Sequence, residues 1–171
     1  MSQFTADQLA LQAHIEAQNA AFVARCEAEG ATAWCTTVSD PAHWASMDIF
    51  TIEQYERESL ISYISDAHKD AYGFRPRGYN YSEWSMEDLQ EEADRMSEAV
   101  SRAIEEERVR ENQAIAAFEQ SIENLISMGA GDRKTAIRWI CDAVDHGGDL
   151  GYVCYELGLP YSMESELREV A

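Results

Sequence analysis

From Ser85 onward, apolar residues recur at alternating steps of three and four: Leu89, Ala93, Met96, Val100 and Ala103, then Ala114, Phe118, Ile122 and Leu125. This spacing lines one face of an α-helix and does not fit a strand, whose side chains alternate with period two. Ser85 is a capping residue, and Glu87, Asp88, Glu91 and Glu92 behind it place negative charge at the positive end of the helix. The seam fails in the middle, where Glu107 and Glu111 hold the positions that apolar residues should fill. A helix unbroken over 86–128 would be about 65 Å long at 1.5 Å per residue, too long for a compact domain of this size. A projecting arm, a seam shared in a homodimer through the long helix, or a kink within 105–112 would resolve the conflict.

The rest of the chain also reads as helix. Thr5 with Gln8, and Thr51 with Gln54, have the form of capping boxes. Behind the first, Leu9, Ile15, Phe22 and Cys26 predict a helix over 6–28. Behind the second, Ile52, Tyr55, Leu60, Tyr63, Ile64, Ala67 and Ala71 predict a helix that Gly73 ends. Residues 31–48 lack periodicity and fit a loop, a short helix or a brief strand pair around 34–38. Beyond Gly129 come short helices: 133–144 behind Asp132, 150–157 behind Asp149, and 162–170 with Ser162 or Ser165 as cap. Gly147, Gly158 and Pro160 act as stops. The expected fold is all-α, with a main helical domain over 1–128 that carries the long acidic helix. A small C-terminal helical module over 129–171, whose short helices read with the preceding 122–128 as a bundle of their own, is expected to pack on it.

Hydrophobic residues make up 46% of the 171, with four Trp and eight Tyr. That content separates the chain from acidic disordered tails, which lack the aromatics to fold. No apolar run approaches the roughly 18–20 residues of a membrane span, and residues 1–8 lack the basic and apolar regions of a signal peptide. The expected setting is the cytoplasm, with Cys26, Cys35, Cys141 and Cys154 as buried, reduced thiols.

Charge narrows the function. Thirty-two Asp and Glu stand against 13 Lys and Arg, a formal net charge of -19. Nucleic acid and anionic membrane are repelled by such a surface, whereas a basic surface on another protein is attracted to it. Residues 1–72 carry 11 acids and 3 bases, 73–82 two Arg, 83–128 13 acids and 4 bases, and 129–171 8 and 4. The densest patches are Glu87, Asp88, Glu91, Glu92, Asp94 and Glu98, then Glu105, Glu106, Glu107 and Glu111. Duplex DNA carries a charge every ~1.7 Å of axis, whereas the long helix carries one per roughly 5 Å. A nucleic-acid mimic would therefore need several faces to converge. The other reading of the same charge is a solvated surface kept for solubility.

Motifs for catalysis are missing. Asp66, His68 and Asp70 look like a metal cluster, but on a helix His68 points about 200° away from both carboxylates. No nucleophile motif or phosphate-cradling glycine loop occurs, so no enzyme activity, cofactor or metal is expected. The loop GFRPRGYNYSEW concentrates Arg75, Arg77, Tyr79, Tyr81 and Trp84, residue types that dominate binding energy at interfaces. Either it contacts a partner, or its arginines pair with the chain's own carboxylates while its aromatics cover the core.

SDAHKDAYGFRPRGYNYSEWS (65–85), MGAGDRKTAIRWICDA (128–143) and CYELGLPY (154–161) resemble segments of small uncharacterised acidic helical proteins of bacteriophages and mobile elements. The C-terminal stretch is also loosely similar to a ubiquitin-associated three-helix bundle. The phage resemblance implies a bacterial host cytoplasm. It also implies, by analogy, an inhibitor of a host nuclease, restriction complex or CRISPR effector. The expected protein binds and blocks a basic surface of a nucleic-acid-binding host protein, through the acidic residues named above and the loop of Arg75, Arg77, Tyr79, Tyr81 and Trp84. The alternative is a helical scaffold whose acidity serves solubility only.

Overall fold

In the computed structural model, which describes residues 4–170, every regular element is helical among the described residues. The elements are α1 (Ala6–Ala28), α2 (Pro41–Ala45), α3 (Ile52–Tyr72), α4 (Met86–Leu125), α5 (Arg133–Ala143), α6 (Leu150–Leu157) and α7 (Glu164–Val170). Both capping boxes form. The Thr5 hydroxyl accepts from the Gln8 amide at 3.3 Å and Gln8 returns an acceptor to the Thr5 amide at 2.9 Å; Thr51 and Gln54 do the same at 3.2 Å each way. These reciprocal bonds satisfy amides that no helix carbonyl can reach. Of the three options for 31–48, the short helix is realised as α2, started by Asp40 and Pro41, and 33–40 is an irregular segment with no strand.

The chain divides into two compact units, Met1–Val100 and Ser101–Ala171. This places the division inside α4 rather than at the expected 128/129. The reason is that Phe118 and Ile122 from the end of α4 are buried with Ala136, Ile137, Cys141, Val153, Cys154 and Leu167 in the second unit's core. The first unit has two apolar clusters. Leu11, Ile15, Ile49 and Tyr55 form one, with Trp44 and Ile52 against it. Ile64, Ala67, Leu89, Ala93 and Met96 form the other, with Tyr81, Trp84 and Val100 against it.

No kink interrupts 105–112, and α4 is helical throughout. It ends in a widened turn, Ile126–Ala130, where Gly129 takes φ 116°, a conformation that side-chain-bearing residues rarely adopt. The last helix departs from expectation at its start. Tyr161–Met163 forms a tight 3₁₀ turn behind Pro160, with no side-chain cap, and α7 follows at Glu164. Of the four thiols, Cys141 and Cys154 are buried, but Cys26 is only half-buried and Cys35 is exposed, since it lies in the irregular 33–40 segment. Burial pushes the Cys141 and Cys154 thiols up, which keeps them protonated.

Candidate functional site: the acidic face of the first unit

Helix α4 begins with the seam expected of it, buried at Leu89, Ala93 and Met96. At 3.6 residues per turn, Glu87, Glu91, Asp94 and Glu98 fall within about 60° of one another on the opposite side. All four are exposed. Glu87, Glu91 and Glu98 have no basic partner within ion-pair distance among the described residues. Asp94 accepts from the Gln90 side-chain amide at 2.9 Å. Four carboxylates over about 17 Å of helix give one every 5 to 6 Å, compared with one phosphate per ~3.4 Å along a single DNA strand.

The other acidic residues singled out in sequence do different work. Asp88 belongs to the helix cap: it accepts from the Ser85 amide at 2.8 Å and hydroxyl at 2.6 Å, while its own amide donates to Ser85 Oγ at 3.1 Å. These bonds hold its carboxyl below the usual range. Glu92 is 4% exposed and ion-paired with Arg95, so it cannot touch a partner. It faces the core edge because it lies about 60° from Leu89 on the helix. In the second unit, Glu105 pairs with Arg108 at 2.8 Å and Glu107 pairs with Arg110. Glu106 is exposed and Glu111 half-buried. Two of the four acids of the second patch are therefore neutralised along their own helix, against one of six, Glu92, in the first.

The loop behaves mainly as structure. Arg75 pairs with Asp66 at 2.6 Å and donates to Ser65 Oγ at 2.8 Å. Tyr81 and Trp84 pack on the Leu89 cluster. The Arg57 guanidinium donates to the Tyr81 and Trp84 carbonyls and so pins the loop to α3. Tyr79 stacks on Tyr81 with centroids 5.7 Å apart, and burial raises the Tyr81 hydroxyl. Arg77 and Tyr79 remain exposed. His68 uses its Nδ1 on the Phe74 carbonyl at 2.7 Å. Among the described residues, no cluster of His, Cys, Asp or Glu is placed to hold a metal, and no helix is long and apolar enough to cross a membrane.

Next to the acidic face lies an open cleft of about 470 Å³, lined by Gln18 of α1, Tyr55, Glu56, Ser59 and Leu60 of α3, and Met86 and Gln90 of α4. Sequence spacing marks none of it as a site, because the lining comes from three helices far apart in the chain. The chain matches no protein-family model, no curated protein and no solved structure.

Proposed function

We propose that the protein binds a basic, nucleic-acid-binding surface of another protein and blocks it sterically and electrostatically, as a phage-type accessory protein would act on a host defence or nucleic-acid-processing factor. The observation that carries this reading is the unneutralised row Glu87, Glu91, Asp94 and Glu98 on the solvent side of α4. Carboxylates kept only for solubility have no need to align on one face, whereas a row of like charge raises the rate at which a basic partner is captured. No turnover is required. A scaffold joined through the α4 seam draws less support, because Leu89 and Phe118 are spent on the cores of their own units.

The test uses the full chain as bait in a bacterial lysate at low salt, beside the variant Glu87→Gln/Glu91→Gln/Asp94→Asn/Glu98→Gln. Proteins captured by the wild type and lost by the variant should be basic nucleic-acid binders, released by added DNA. Identical captures by both baits would contradict the reading.

A further inference from the structure

The cleft between α1, α3 and α4 is lined by a carboxylate, a hydroxyl and two side-chain amides beside apolar groups. Gln18 already spends its amide locally: its Nε2 lies 2.9 Å from His14 Nε2, and its Oε1 accepts from the Tyr55 hydroxyl at 3.3 Å. Gln90 donates its Nε2 to Asp94, and its Oε1 has no donor among the described residues. Ser59 Oγ also has no hydrogen-bond partner among the described residues. Among the described residues the Glu56 carboxylate has His14 as its one ionic neighbour, at 3.6 Å, and it is 48% exposed. Leu60 and Met86 supply apolar lining beside these groups. A carboxylate, an amide oxygen and a hydroxyl that can accept thus stand around an apolar wall, and the side chain that donates to several acceptors at once is a guanidinium.

We propose that this cleft is the anchor pocket for an arginine side chain of the basic partner. Glu56 takes the guanidinium in a charge-assisted pair, Gln90 Oε1 and Ser59 Oγ accept its remaining N–H groups, and its methylene stem lies on Leu60 and Met86. The inference rests on the capture of a basic surface proposed above and names how one residue of that surface is read. Charge complementarity favours this occupant: residues 1–100 carry 18 Asp and Glu against 6 Lys and Arg. Gln90 also joins the cleft to the row of carboxylates through Asp94. The volume lies within the ~300–1,000 Å³ typical of ligand clefts. Lysine fits less well, because a single ammonium cannot fork between a carboxylate and two further acceptors.

The experiment titrates the full chain with a capped hexa-arginine peptide and follows the Met86 methyl and the Gln90 side-chain amide by NMR. Hexa-citrulline, equal in shape and neutral, and hexa-lysine serve as comparisons. Hexa-arginine should move both signals, hexa-citrulline should leave them in place, and hexa-lysine should bind several-fold more weakly. Glu56→Gln should weaken hexa-arginine binding about tenfold, and so should Ser59→Trp, which fills the cleft while keeping every carboxylate. Glu56 and Ser59 sit at the surface, so an unchanged thermal midpoint will show that both variants fold. If hexa-arginine binds without moving Met86 and Gln90, or if either variant binds like the wild type, the arginine pocket is wrong. If the fourfold α4 variant then still loses binding, the proposed function survives without the pocket. If the wild type does not bind hexa-arginine at low salt, both fall.

Discussion

Single carboxylates in this chain do unlike jobs, and their bonds tell them apart. Asp132 caps α5 by accepting from the Thr135 amide at 2.7 Å, and that bond holds its carboxyl below its ordinary value. The lower value means that Asp132 stays ionised to lower pH in the folded chain than in the unfolded chain. The cap's contribution is therefore complete above the ordinary carboxylate range, about pH 4, and is lost as pH falls through the folded value beneath it. Asp132→Ala should lower the thermal midpoint at neutral pH, and the gap to wild type should close as pH falls below about 4, as followed by circular dichroism. Glu92 shows where sequence reading stops. Its place in an acidic run puts it with Glu91 and Asp94, yet Arg95 pairs with it and it is buried. Burial at the edge of a helix face depends on what distant parts of the chain pack there, and local spacing does not encode that.

At the scale of the element, α4 carries the architecture. Its apolar stripe was legible from period alone, and so were both capping boxes, because each is written within four residues. The unbroken middle was not legible. Residues 104–110 are all exposed, including Ile104 at 64%, so no packed face holds this stretch helical. It is built from strong helix formers, and its Glu and Arg pair one turn apart as Glu105–Arg108 and Glu107–Arg110. Propensity and local pairs thus replace packing. Hydrogen exchange should find the amides of 104–110 opening well before those of 89–100 and 118–125; equal protection along the helix would mean that a second surface covers the middle.

For the whole molecule, the all-helical class followed from periodicity, but the division of the chain did not. The Gly129 break looked like a domain boundary. The stretch 122–128 reads with the C-terminal helices, but Phe118, a turn earlier on α4, belongs with Ile137 and Val153 as well, a contact set between residues too far apart for a pattern to reveal. The net charge of -19 was readable at once, whereas its useful part was not. Only the fold separates the free row on α4 from acids consumed by caps, pairs and the core, and only the fold sets Glu56 beside Gln90 in one cleft. The central claim is that this free row captures a basic surface. The most direct measurement is the affinity for the captured partner as a function of salt, for wild type and the fourfold α4 variant, with duplex DNA as competitor. The account predicts a steep loss of wild-type affinity with salt, a shallower slope for the variant, and displacement by DNA. Equal slopes, with a complex that DNA does not disturb, would contradict it.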